Sequence, residues 1–581
     1  MSESADPPAA APSGSSGRNT AAIAILILAA SVSTARLLIH AGLPVAHDMV
    51  FHLFQADQFQ NGLVSGEFLP RWAMSANNGY GAPNFIFYAP LSYYFASLIR
   101  VFMPSPVISL IIAIWCSFFF SGAFMYLAVK RCSGDRGALA AALLYQLLPF
   151  HLLNLYGRGA FAELCAYAWF PLVILFMHET LSDKRSPLAS AGLSLSYAGL
   201  ILTHLVSGLI FSIVLFLYTA CRHYLHRSGK ALLRALTALV AGLGISSFYL
   251  IPVIFERKYV HLEYMFNYVF SDYRDNFLFM KKNLDAPFYV TLNGAATLEL
   301  LLFITLVFIS LKSSADHSRR AHHAAIAAIF ISAFFLATPL SAPLWAFFPS
   351  FALLQFPWRW LSAMEISLCF LVGALLSETN LRSLFHNGLT GKTAVYSMLA
   401  LFSLSLLLIL KSDRMHKARF LEMITDAEQV RHYTNLPKEY TPIWATNVEN
   451  TIREENIDKV SSLSGKADIR ILRWRPETRA IGVNAPSPVR LRIATFFYPG
   501  WEAGIDGIKT GIAIEEKTGA MLVDLPGGEH TLEMTFVDTP LRVFSRYLSY
   551  GSCAILAIFS LFSLRKRIEA FGNQIYIPPP L

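Results

Sequence analysis

The sequence predicts a polytopic α-helical membrane protein with a small β-sandwich-like domain near its C-terminal end. Three observations predict this. Of its 581 residues, 55% are hydrophobic and only 15% are charged, against about 25% charged in an ordinary soluble domain. Apolar runs close to the roughly 20 residues that a bilayer-crossing helix needs recur from Ala21 to Leu564. They are too long and too uniformly apolar to be barrel strands of about 10 alternating residues. Residues 411–541 break that pattern with polar sequence and then short β-branched and aromatic runs. The net charge of +9 is read as orientation and not as a nucleic-acid partner, because Lys and Arg between spans stay on the cytoplasmic side.

Residues 1–20 are rich in Pro, Ala, Ser and Gly and are expected to form a disordered cytoplasmic tail. Residues 21–410 form the membrane domain. The run after Asn19 exceeds the 7–15 apolar residues of a signal-peptide core, so it reads as a retained first span. About twelve spans are expected by length, at 21–42, 106–129, 137–156, 160–180, 188–204, 206–222, 232–255, 294–311, 322–347, 361–377, 392–410 and 547–564. With the N-terminus inside, Lys130-Arg131, Lys184-Arg185, Arg222 to Lys230, Lys312 to Arg320 and Arg565-Lys566-Arg567 all fall in the cytoplasm. Both termini, including a tail at 565–581, are then cytoplasmic. Residues 85–103 are apolar enough to cross, but a crossing there would invert the later parity. They are expected to lie at the interface within a first outer loop, 43–105, with Tyr88, Tyr93 and Tyr94 in the headgroup belt.

Residues 411–541 are the one extracytoplasmic domain. Residues 413–456 read as helical or irregular. From about Ile469 the runs IRILRW, RAIGVNA, VRLRIATFFY, GAMLVDLPGG and HTLEMTF, divided by Pro and Gly clusters, read as antiparallel strands. The six cysteines, Cys116, Cys132, Cys165, Cys221, Cys369 and Cys553, lie in or beside apolar spans, and no disulfide framework or CxxC metal site is suggested.

The candidate chemistry lies on the outer side. Asp48, just beyond the first span, can deprotonate a hydroxyl acceptor or bind a divalent metal, with His52 one helical turn on. It can equally cap a helix starting at Met49. His47 precedes it. Arg71 suits a phosphate or a lipid headgroup. Arg158 and Glu163, in YGRGAFAE, are either a buried ion pair or a site for an anionic ligand, since ionisable groups at membrane depth are costly unless used. His204 marks a break between two short helices and reads as a satisfied turn histidine. Arg359, between Trp358 and Trp360 in FPWRWL, suits a phosphate flanked by a lipid chain. Glu256-Arg257 is expected to pair locally. GxxxxGK[ST], GxGxxG, HExxH and GxSxG are absent, which leaves nucleotide and metalloprotease chemistry unsupported.

Taken in order, the first-loop Asp, LPRWAMSANNGYGAPNFIFYAPLSYY, YGRGAFAE, the His204 turn, QFPWRWL, and FYPGWEAGIDG with LPGGEHTLEMTF resemble the GT-C superfamily of membrane glycosyltransferases. Within it they resemble the YfhO-like proteins and the bacterial membrane proteins with a 6-pyruvoyl-tetrahydropterin synthase-related domain. The resemblance implies transfer of a sugar from a polyprenyl-phosphate-linked donor to a cell-envelope glycan or lipid acceptor, at the outer face of the bacterial inner membrane. It implies Asp48 as catalytic base or metal contact. His47, Arg71, Arg158, Glu163, His204 and Arg359 become substrate-binding residues, with Arg158 and Arg359 on the lipid phosphate. Many members of the superfamily pair two acidic residues in the first loop, whereas His47 stands beside Asp48 here, so a divalent metal on Asp48 and His52 is left open. The pterin name carries no chemistry, because no soluble domain offers a zinc histidine trio. The alternative function is a non-catalytic transporter or flippase for a lipid-linked glycan.

Overall fold

The computed structural model describes residues 14–182, 187–266, 272–280, 287–310, 317–378, 388–411, 423–426, 438–446 and 458–575. Most of 413–456, residues 1–13 and residues 576–581 lie outside the described residues. The chain is a multi-pass α-helical membrane protein. Among the described residues nine helices are long and apolar enough to cross a bilayer, and a pair bent by 71°, a broken span or a re-entrant loop, brings the total to at most ten. The expected spans at 21–42 and 188–204 are represented by shorter apolar stretches, Asn19–Ser33 and Leu188–Thr203. The disorder expected through residue 20 gives way to helix from Gly14, and the last helix runs past Leu564 to Ile575.

Local chemistry explains the helix ends. Pro106–Cys132 starts with Ser105 accepting from the Ile108 N–H and Pro106 in the first turn, and it ends on Lys130 and Arg131, where cations meet the negative end of the helix dipole. The next span, Gly137–Arg158, is interrupted at Pro149, which cannot continue the helical hydrogen-bond ladder. The buried Glu365 carboxylate accepts from the freed N–H groups of Phe150 (2.9 Å) and His151 (3.3 Å) and from Tyr167 Oη (3.1 Å). Broken helices survive at membrane depth only when neighbours satisfy the released groups in this way. In the bent pair, Ser549 of the last helix accepts from the Phe248 N–H just beyond the break (2.9 Å). Close packing uses small residues: a Cβ on Gly137 would lie 1.9 Å from the Gly373 carbonyl oxygen, so these two helices touch backbone to backbone.

The 85–103 stretch forms two short helices, Asn84–Phe87 and Leu91–Phe102. Twelve residues reach only about 18 Å, short of the roughly 30 Å hydrocarbon core. Tyr93 is not in a headgroup belt. It is fully buried and its hydroxyl meets His52 Nδ1 at 3.0 Å.

Among the described residues nine strands form two antiparallel sheets: β1 (Val460–Ser464), β2 (Asp468–Trp474), β3 (Thr478–Ala485), β4 (Val489–Phe496), β5 (Trp501–Ile505), β6 (Ile508–Thr510), β7 (Ala513–Ile514), β8 (Ala520–Leu525) and β9 (Gly528–Phe536). Their orders are β1-β4-β8-β7 and β2-β3-β9-β5-β6. Ile481, Leu491, Ile493, Val523, Leu532 and Met534 share one core between the sheets. The first strand begins at Val460, nine residues before Ile469, where Ser-rich sequence hides the alternation.

The sandwich is bolted to the membrane domain. Arg71 binds Glu477 and Asp538, and Trp72 packs edge-on against Trp501 with centroids 5.5 Å apart. Tyr80 stacks on Phe496 at 4.8 Å. Glu256 does not pair with Arg257 as expected; it accepts from Arg542 (2.9 and 2.7 Å) and Tyr498 (2.9 Å). All three groups are buried. Breaking such a pair leaves an uncompensated buried charge, at a cost of about 3–5 kcal/mol. Glu256→Ala should therefore lower the unfolding midpoint of the detergent-solubilised protein sharply, while Glu256→Leu combined with Arg542→Met should recover most of the loss. Equal midpoints for Glu256→Ala and wild type would remove this pair from the stability account.

Candidate active site

The helix Met49–Val64 buries Met49, Leu53, Phe54 and Phe59 against the bundle. Asp48 stands at its N-cap position, yet its side chain makes no capping hydrogen bond. The capping role open to it in sequence is thus not taken up. Its backbone N–H instead donates to the Arg158 carbonyl at 2.8 Å, which docks the loop onto the turn after Gly137–Arg158. That approach requires Gly159, whose φ is +67° and whose Cβ, if present, would lie 2.7 Å from Met49 Cβ. A left-handed backbone with no room for a side chain is a glycine position.

Around this junction the structure gathers four residues from three distant stretches. Arg158 Nη2 lies 3.9 Å from Asp48 Oδ2 and Nη1 lies 2.6 Å from Glu163 Oε2. Arg359 Nε is 3.7 Å from the same Glu163 oxygen. Glu163 therefore bridges two guanidinium groups. The arginine and Glu163 side chains are 3–7% exposed, whereas that of Asp48 is 45% exposed, so Asp48 is the member of the cluster that meets solvent. Two further acceptors went unnoticed in the sequence. Arg158 donates to Asn154 Oδ1 (2.5 Å) and Arg359 to Gln355 Oε1 (3.1 Å) and the Leu354 carbonyl (2.7 Å). Each amide stands four residues before its arginine, the helical spacing for contact, and that was the available signal. Gln355 has φ +60°, a strained backbone for a side-chain-bearing residue of the kind that clusters at functional sites. The Arg158 guanidinium also sits 4.8 Å from the Trp358 ring centre.

The other expected residues divide. His47 is exposed beside Asp48. His52 is buried and burial pushes its pKa down to about 4, so it is a neutral partner of Tyr93. His204 caps the helix Leu205–His226 through Nδ1, accepting from the Ser207 N–H, and also lines a cavity of about 300 Å3 with Tyr88, Leu205, Val253, Leu353 and Tyr440. This volume is at the low end of small-molecule sites. Its walls are mostly apolar, and two of its lining residues, Tyr88 and His204, lie within electrostatic reach of Glu163 and Arg359. Arg71 is not part of the cluster; both ends of its guanidinium are committed to Glu477 and Asp538. Among the described residues, Asp48 and His52 do not join a third ligand to form a metal group. The group of three close ligands is Cys132, His178 and His322.

Gly159→Ala should cost more than about 1 kcal/mol, because a Cβ is strained at positive φ and must displace Met49. Chemical unfolding of the purified protein measures it, and a variant as stable as wild type would show that the loop–turn junction is not tight.

No curated protein sequence matches this chain. Several solved structures are similar in fold. Arabinofuranosyltransferase AftD from mycobacteria aligns at 14% identity and TM-score 0.45 over 69% of this chain and 27% of that one, so the chain spans about a quarter of that protein's length. ArnT from Cupriavidus metallidurans, bound to undecaprenyl phosphate, aligns at 15% identity and TM-score 0.41 over 72% and 76%. The oligosaccharyltransferase of Archaeoglobus fulgidus, tethered with an acceptor peptide, aligns at 12% identity and TM-score 0.42 over 73% and 60%. The family model for the 6-pyruvoyl-tetrahydropterin synthase related domain, described as a membrane protein, matches residues 85–421. This match takes in YGRGAFAE, the His204 turn and FPWRWL and extends over more than half of the chain, which belongs to that family of membrane proteins.

Proposed function

We propose that the protein transfers a sugar from a polyprenyl-phosphate-linked donor to a cell-envelope glycan or lipid acceptor, at the outer face of the bacterial inner membrane, with both termini cytoplasmic. One observation carries the reading: a solvent-reaching carboxylate, Asp48, stands 3.9 Å from a buried arginine that Glu163 ties to a second one, beside an apolar cavity. A lipid-linked sugar phosphate has these three needs, namely a base for the incoming hydroxyl, cations for the phosphate and an apolar wall for the first isoprene units.

The mechanism is direct displacement. Asp48 accepts the acceptor's hydroxyl proton as its oxygen attacks the anomeric carbon. The bond from that carbon to the phosphate oxygen breaks, and the electron pair leaves with the polyprenyl phosphate. The charge balance favours this sequence. At rest two carboxylates face two guanidinium groups. Once Asp48 is protonated, Arg158 and Arg359 outweigh Glu163 by one positive charge at the moment the phosphate gains negative charge, and stabilisation that grows with the developing charge is what accelerates a reaction. Glu163 is a positioning residue that holds both arginines in place.

Asp48→Asn should lower transfer by about 100- to 10,000-fold, the usual range for a general base, with little change in donor binding. The measurement is release of polyprenyl phosphate from a lipid-linked sugar in membranes holding folded protein. Undiminished release in Asp48→Asn would remove the mechanism. Movement of the lipid-linked sugar across vesicles without any release would favour the transporter.

A further inference from the structure

Away from that site, at the membrane-domain end that carries Lys130 and Arg131, three ligand-bearing side chains meet. Cys132 is the last residue of Pro106–Cys132. His178 lies in the last turn of Trp169–Leu181, and His322 near the start of His317–Ala337. One donor atom from each lies within 4.8 Å of the other two. The two imidazole rings are edge to face with centroids 4.6 Å apart. Between them stands Tyr218 of Leu205–His226, whose hydroxyl is 2.9 Å from His178 Nδ1 and 2.8 Å from His322 Nδ1. His322 is 2% exposed, and its Nε2 has no hydrogen-bond partner although it is buried. A buried imidazole nitrogen without a partner costs free energy and calls for an explanation.

We propose that Cys132, His178 and His322 bind a zinc ion, with Tyr218 as the outer partner that orients both imidazoles. The donor chemistry selects the metal. One thiolate and two imidazoles suit Zn2+ and not the oxygen-seeking Mg2+ or Ca2+. Zinc–sulfur bonds of about 2.3 Å and zinc–nitrogen bonds of about 2.0–2.1 Å put tetrahedral donors about 3.5 Å apart, so a cluster already within 4.8 Å closes by small side-chain movements. A ligating histidine characteristically gives its second ring N–H to a fixed acceptor, which sets the tautomer. The phenol oxygen has two lone pairs, one for each Nδ1–H, and this leaves both Nε2 atoms as ligands, including the one without a partner. Three protein ligands leave a fourth position for water. Cys132 and His178 are both partly exposed, which gives the ion a way in. The site ties four helices together at the end opposite Asp48, so its role is read as structural clamping or metal sensing and does not depend on the glycosyl-transfer reading.

The full-length protein in detergent, stripped with a chelator, should take up one Zn2+ per chain. It should take up Co2+ with a thiolate-to-cobalt charge-transfer band. Cys132→Ser should abolish the band, His322→Gln should remove stoichiometric binding, and the conservative Tyr218→Phe should weaken Zn2+ affinity by about 10- to 100-fold while keeping the stoichiometry. Wild-type protein that shows no charge-transfer band, or stoichiometric Zn2+ that survives His322→Gln, would overturn the proposal. If the ligand variants do not fold, the wild-type cobalt spectrum and the Tyr218→Phe affinity decide it.

Discussion

Glu163 is buried between Arg158, at 2.6 Å, and Arg359, at 3.7 Å. Without it two guanidinium groups would be confined together where little solvent screens them, and burial of unpaired charge is among the largest single penalties a fold can carry. The rest of the face depends on this arrangement. Arg158 is held so that its carbonyl accepts the Asp48 N–H, which fixes where the first-loop helix begins. Arg359 is held so that the strained Gln355 and the Leu354 carbonyl can close around it. The ionic bridge joins YGRGAFAE, FPWRWL and the residues after the first span, and gives three separate stretches one geometry.

A second set of contacts makes the sandwich part of the same body. Arg71, Trp72 and Tyr80 leave the first loop to grip β4, β5, β9 and the residue before β3, and Arg542, at the start of the last helix, binds both Glu256 at the end of another helix and the Pro499 carbonyl of the sandwich. The first loop is thus held at one end by Arg158 and at the other by the sandwich. Asp48 therefore stands on a loop whose position both units determine.

The membrane helices show how a bundle tolerates irregular backbone. Pro149 and the bend at Ser246 each release backbone groups, and each is answered by a side chain from a distant helix, Glu365 in one case and Ser549 in the other. Beyond the first break, Asn154–Arg158 forms a π-helical turn that brings the Arg158 carbonyl to the Asp48 N–H. A regular helix would aim that residue elsewhere.

Composition and hydropathy determined the class by themselves, because the cost of placing backbone and charge in hydrocarbon leaves little choice but long apolar helices. They also singled out Asp48, Arg158, Glu163 and Arg359, since ionisable groups beside apolar runs are conspicuous. The pairing of those groups was another matter. Whether Glu256 would meet Arg257 or Arg542, whether Arg71 would face a ligand or Glu477, and whether Tyr93 would meet lipid or His52 all turn on contacts between residues 41 to 406 positions apart, which hydropathy and spacing do not encode. Cys132, His178 and His322 illustrate it best. Each is unremarkable in its own span, and only helix packing brings donor atoms of the three within 4.8 Å of one another, since the direction of a side chain across a helix interface is set by the partner helix as much as by its own sequence.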